Sequence, residues 1–91
     1  MTYRFRAARS FRKALAKLPL GQKRSAIHAF QIFKKDPFDP RLRTHKIHKL
    51  SAAYGKTIYA VCIEGDLRAI FYIDGGTIWS VDIGSHAIYR S

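Results

Sequence analysis

Three runs decide the fold: Thr57-Ile58-Tyr59-Ala60-Val61-Cys62-Ile63, Leu67-Arg68-Ala69-Ile70-Phe71-Tyr72-Ile73 and Thr77-Ile78-Trp79-Ser80-Val81-Asp82-Ile83. Each is rich in β-branched and aromatic residues, which fit a pleated surface. The connections are Glu64-Gly65-Asp66 and Asp74-Gly75-Gly76. Glycine loops this short join only antiparallel neighbours, so residues 57–83 are expected to form a three-stranded meander. Trp79, Val81 and Ile83 alternate with Ser80 and Asp82, which predicts one dry face and one at least partly open.

Working back from the meander, residues 41–56 show no strong period. Leu42, Ile47 and Leu50 are candidate anchors there, and Tyr54-Gly55-Lys56 reads as a turn into the sheet. Asp36-Pro37-Phe38-Asp39-Pro40 stops the element before it, because proline disfavours helical geometry in its predecessor and donates no amide hydrogen. Ala26, Ala29, Phe30 and Phe33 recur at helical spacing and predict a helix from Gln22 to Lys35. On that helix Ile27 lies at the margin, Ile32 falls off the stripe and His28 faces solvent. Phe11, Leu15 and Leu18 predict an earlier helix that ends before Pro19, with Ser10 as its candidate cap. The short joint makes the two helices an antiparallel hairpin. Tyr3 and Phe5 alternate with Arg4 and Arg6 as a first strand. The order is β-α-α-β-β-β, an α+β layer of one domain over residues 1–91, with the helical hairpin on the dry face of the sheet.

Size and composition restrict the functions open to such a chain. Ninety-one residues bury only about 60–65% of their unfolded surface, so a separate regulatory domain has no room. At 47% hydrophobic and 13% aromatic residues, the chain reads as folded rather than as a basic tail. No run approaches the ~20 apolar residues of a membrane span. Cys62 is alone, which excludes an internal disulfide framework, and the N-terminus has no apolar signal core. A cytoplasmic protein is expected.

Charge is the second strong signal. The net charge is +11, and fifteen of the seventeen Lys/Arg lie in residues 1–56 against two acids, Asp36 and Asp39. A cation load this one-sided is the footprint of a nucleic-acid binder, although an acidic protein partner or plain solubility also fits it. Arg43, His45, Lys46, His48 and Lys49 fall within seven residues just before the sheet. A second group follows the last strand, in Gly84-Ser85-His86-Ala87-Ile88-Tyr89-Arg90. Imidazoles titrate near neutrality and cations stabilise phosphate charge, so the two groups suggest work on a phosphodiester. Two histidines three apart are too few for a typical zinc site, and His28 and His86 have no spacing that joins them, so no metal or cofactor is expected. The plainer reading of the first group is a basic loop that only contacts phosphate or an acidic partner.

The early strand, the helical hairpin, the Asp36-Pro37 break, Leu42-x-x-His45-x-x-His48, the meander with Arg68 and the ending Asp82-Ile83-Gly84-Ser85-His86-Ala87-Ile88-Tyr89 together resemble the RelE/ParE superfamily of bacterial toxins. The resemblance spans nearly all of residues 2–90 and is nearest to the YafQ-like branch. It implies the toxin of a type II toxin–antitoxin pair, an endoribonuclease that cuts messenger RNA on the ribosome and so inhibits translation. It also implies a cognate acidic antitoxin and a toxin–antitoxin hetero-oligomer. By similarity His45, His48, Asp66 and His86 fall on catalytic or RNA-contacting positions, with Arg68 and Lys46 as phosphate stabilisers. Arg43, Lys49, Tyr89 and Arg90 join the RNA-binding set. The branch carries a tryptophan where this chain has Leu67 and an arginine where it has Asp82; Arg68 is the substitute cation. Two other readings follow from the same fold: a ParE-like inhibitor of DNA gyrase, and a catalytically weak module that binds RNA or antitoxin.

Overall fold

The computed structural model describes residues 3–89. The meander forms as its turns demand, with β3 (Tyr59–Glu64), β4 (Leu67–Asp74) and β5 (Thr77–Gly84) pairing antiparallel. Around it a five-stranded sheet runs in the order β1-β5-β4-β3-β2, with β1 at Arg4–Ala7 and β2 at His45–Lys46. The N-terminal strand lies parallel to β5, Phe5 opposite Ile78, so the first and last strands are neighbours. Nothing in the local pattern of residues 3–7 specifies that pairing.

The helical hairpin consists of α1 (Arg9–Ala16) and α2 (Leu20–Lys35). As expected, α1 ends before Pro19; the same proline is the residue preceding α2, and its carbonyl accepts from Lys23 N at 3.0 Å. Lys34 and Lys35 occupy the last turn of α2, where the helix dipole favours cations. Between α2 and the sheet, Phe11, Ala26, Ala29, Phe33, Leu42, Val61, Leu67, Ala69, Phe71, Ile78 and Ile83 form the main core. Ile27 is 55% exposed and Ile32 half-buried, as their positions off the stripe predict.

Ser10 does not cap α1. It lies inside the helix and donates its hydroxyl to Val81 O at 2.5 Å. The reason is a bulge in β5: Ile70 pairs with Asp82 and Phe71 with Ser80, so Val81 is the extra residue. The serine supplies that carbonyl with a donor and ties the helix to the strand.

The other face of the sheet is more covered than the alternation predicts. Residues 40–56 hold a 3-10 turn (Pro40–Leu42), β2 and a short helix, α3 (His48–Tyr54). Leu50 of α3 joins Ile58, Ala60, Ile70 and Val81 in a second core cluster. Ser51 fastens α3 to the sheet, donating to Ile47 O at 2.9 Å and accepting from Ile58 N at 2.8 Å. Gly55 ends the helix at φ 69°, a left-handed conformation that glycine adopts without steric cost. A terminal 3-10 turn (His86–Tyr89) then folds back on this face, where Ile88 and Tyr89 pack against the second cluster. Among the described residues no helix is long and apolar enough to cross a membrane.

Candidate functional site

Residues directly opposite on paired strands share a face, so the register fixes which side chains can meet. Cys62, Arg68 and Gly84 are successive cross-strand partners on the second face. His45, Ala60, Ile70 and Asp82 form the adjacent row. Neighbouring strands lie about 4.8 Å apart, which puts His45 at the β2 edge of the face that carries Arg68. Lys46 pairs with Tyr59, whose ring packs into the main core, so it belongs to the helical-hairpin face. The structure therefore separates Lys46 from the other candidates. His48 and Lys49 are exposed in the first turn of α3, and Asp66 is exposed in the β3–β4 turn.

Arg68 is half-buried and anchored. Its Nη1 donates to Gly65 O at 2.7 Å and Leu67 O at 3.2 Å, which fixes the guanidinium against the turn, and the same side chain hydrogen-bonds the Tyr89 phenol. A cleft of about 270 Å³ opens beside it, lined by Arg41, Arg43, Cys62, Glu64, Gly65 and Arg68 among others. Arg41 is already matched: Nε and Nη2 each reach Asp39 at 3.0 Å. Those hydrogen bonds hold the Asp39 carboxyl below the usual carboxylate range. Among the described residues this is the single ion pair. The cleft thus keeps two cations, Arg43 and Arg68, against Glu64.

Arg43 occupies a left-handed backbone conformation at φ 49°, which costs a residue with a Cβ roughly 1–2 kcal/mol. Its carbonyl lies 2.8 Å from His45 Nδ1. A carbonyl can only accept, so Nδ1 carries the proton and the neutral ring presents an unprotonated Nε2. His45 is thereby set in one tautomer and one orientation by the residue that also lends a cation to the cleft.

Tyr89 closes the end of this neighbourhood. Burial pushes its phenol above the ordinary value, while the nearby Arg68 pulls the other way. Cys62 and Asp66 are also close enough to act on it. The structure therefore brings Asp66, Arg68 and Tyr89 together, with Arg43 and Cys62 in the adjoining cleft. His86 begins the terminal turn, but its side chain lies outside the described residues, as does Arg90. Sequence reading missed Cys62 and Arg41 as lining residues. Cys62 was legible in principle, being two residues from Ala60 on the same strand and hence on the same face.

Gly84 permits the terminal turn to lie where it does. A Cβ there would stand 2.8 Å from Cγ2 of Ile88, and that methyl sits on a short, β-branched side chain with little freedom to retreat. Gly84→Ala is expected to cost about 1–3 kcal/mol and to displace the turn that carries His86 and Tyr89. Thermal unfolding checks the first part; an unchanged melting temperature refutes the clash.

Among the described residues, no group of three or more His, Cys, Asp or Glu is placed to hold a metal ion. No family model matches the sequence, and no curated protein matches it either. Solved structures do match. The archaeal RelE–RelB complex from Pyrococcus horikoshii superimposes with a TM-score of 0.71 at 20% identity, covering 100% of both chains. YafQ from Escherichia coli gives 0.71 at 14% identity, over 99% of this chain and 100% of that one. HP0894 from Helicobacter pylori gives 0.67 at 18% identity, over 94% and 97%. The chain has the RelE-like toxin fold, α+β with a five-stranded mixed sheet.

Proposed function

We propose that the chain is the toxin of a toxin–antitoxin pair and cleaves messenger RNA on the ribosome, using protein groups alone. The observation that carries this reading is the anchored pair at the cleft. Arg68 is held in place by two carbonyls and by Tyr89, and Arg43 presents a cation while its carbonyl orients His45. The RelE-like fold and the charge of the chain support it. Seventeen Lys/Arg face six acids, and one ion pair among the described residues leaves most cations unmatched within the chain.

In this mechanism His45 Nε2 takes the proton from a 2′-hydroxyl, and the freed oxygen attacks the adjacent phosphorus. The P–O5′ bond breaks, leaving a 2′,3′-cyclic phosphate on one fragment. His86 gives its proton to the departing 5′ oxygen. Arg68 and Arg43 stabilise the charge gathering on the phosphoryl oxygens, an effect worth roughly 10²–10³ for a well-placed donor. His48 and Lys49 extend the cationic approach along α3, Asp66 and Tyr89 position Arg68 and the RNA, and Arg90 and Lys46 add diffuse attraction. The partner is an acidic antitoxin that covers the basic surface, as one would expect for a cytoplasmic toxin kept inactive until released. Primer extension on messenger RNA after inducing the wild type and His86→Gln tests the proposal: cleavage sites are expected with the first and absent with the second. Intact messenger RNA with damaged DNA would instead point to gyrase.

A binding module without turnover is the second reading. It is favoured by Asp82, an anion on the same sheet face as Arg68, one row away.

Binding itself has a measurable electrostatic signature. Single-stranded RNA releases counterions when its phosphates are contacted, and log affinity falls by about 0.7 per contact for each log unit of salt. Arg43→Ala and Arg68→Ala are each expected to flatten that slope by about 0.7. A slope unchanged in both variants removes these residues from the RNA interface.

A further inference from the structure

We propose that Tyr72, Trp79 and Lys56 form a second RNA subsite, a base-stacking platform at the hairpin end of the sheet face that carries Arg68. The proposal rests on the RNA reading above and extends it to a place none of that chemistry uses.

Tyr72 and Trp79 are direct cross-strand partners on β4 and β5. Both pack against the second core cluster, and both remain half-exposed, so the pair lines the outside of the sheet rather than its interior. The Lys56 ammonium stands over the Tyr72 ring, 4.9 Å from its centroid. The sole ion pair among the described residues lies elsewhere, at Arg41 and Asp39. Two adjacent aromatic rings with a mobile cation over one of them suit single-stranded RNA: a base stacks on the rings as the flexible lysine swings aside to its phosphate, because every base has a π-face and a phosphate beside it. An apolar partner would gain nothing from the ammonium.

Position sets how long an RNA must be to reach both places. Arg68 and Tyr72 occupy the same face of β4 four residues apart, about 13 Å along the strand, with Ile70 buried between them in the second cluster, so the RNA passes around that cover. At ~3.4 Å per stacked nucleotide, at least about four nucleotides separate a phosphate held at Arg68 from a base stacked on Tyr72. A dinucleotide bound at the cleft cannot reach the platform, and an octanucleotide can.

Trp79 is the only tryptophan of the chain, so its emission reports on this site without any mutation. The full chain is titrated with a fluorescently labelled, unstructured RNA octamer, following label anisotropy and tryptophan emission together. Saturable quenching with the same midpoint as the anisotropy is expected, and an unlabelled dinucleotide should leave the emission unchanged. Tyr72→Ala should weaken octamer binding roughly five- to 150-fold, the range found for losing one stacked base. Lys56→Gln, which spares the sheet, should weaken it in the same direction should Tyr72→Ala fail to fold. Octamer binding with unperturbed Trp79 emission overturns the platform and leaves the nuclease reading standing. No octamer binding by the folded chain overturns both. Quenching by a polyglutamate peptide but not by RNA overturns the platform and marks the face as a protein contact.

Discussion

In the proposed nuclease, replacing His86 with glutamine is expected to lower messenger-RNA cleavage by about 10²–10⁴-fold and to leave RNA affinity and unfolding temperature near those of the wild type. The expectation follows from where the chain puts residue 86. Gly84 is the cross-strand partner of Arg68, and the terminal 3-10 turn starts two residues later. The proposed acid for the 5′ oxygen therefore has its backbone beside the guanidinium proposed to hold the phosphate. Glutamine retains a hydrogen-bond donor but has no proton to release at neutral pH, so the loss isolates proton transfer from packing. A substrate with sulfur in place of the 5′ oxygen sharpens the test. A thiolate leaves without protonation, so the variant should cleave that substrate at nearly the wild-type rate. Equal cleavage of the normal substrate by both proteins removes His86 from the chemistry.

The largest effect on stability is expected at Phe71. It is 1% exposed at the centre of β4. Its ring meets Phe33 at 4.9 Å edge-on and stacks on Tyr59 at 5.2 Å. Phe71→Ala removes those contacts and leaves a cavity bounded by strands on both sides, which cannot collapse easily. A cost of about 3–5 kcal/mol is expected, against a total stability of roughly 5–15 kcal/mol for a domain of this kind. At about 4–8 °C per kcal/mol for a chain this short, the melting temperature should fall by at least ~12 °C. A fall of only a few degrees would show that the sheet and α2 do not share one core around this ring.

Fold and site were legible to different degrees. Gly65 and Gly75 in three-residue connections settled the meander, Pro19 ended the first helix, and Pro37 with the apolar stripe placed α2 to within two residues of its start and at its end. Those signals act between close neighbours in the chain. The helix α3 gave none, because seven residues with one buried anchor, Leu50, are too few to show a period. Ser10 looked like a cap and instead meets Val81, seventy-one positions away. The basic loop at 43–49 looked like one cluster, yet β2 sends His45 and Lys46 to opposite faces. The Leu67 and Asp82 departures are also better understood in place: Leu67 is 2% exposed within the main core, whereas Asp82 spends one carboxylate oxygen on Ile83 N at 2.9 Å.

By itself the sequence determined the N-terminal strand, the helical hairpin, the antiparallel meander and the surplus of positive charge. Each depends on turn chemistry, residue period or composition, which are local or additive. Only the tertiary structure decided that β1 lies beside β5, that α3 and the terminal turn cover the second face, and that Arg43 and Arg68 line one cleft with Tyr89 beside Arg68. Those arrangements depend on strand register and on contacts between residues far apart in the chain. A shift of one position in register turns every side chain to the other face, and no short window of sequence contains that information.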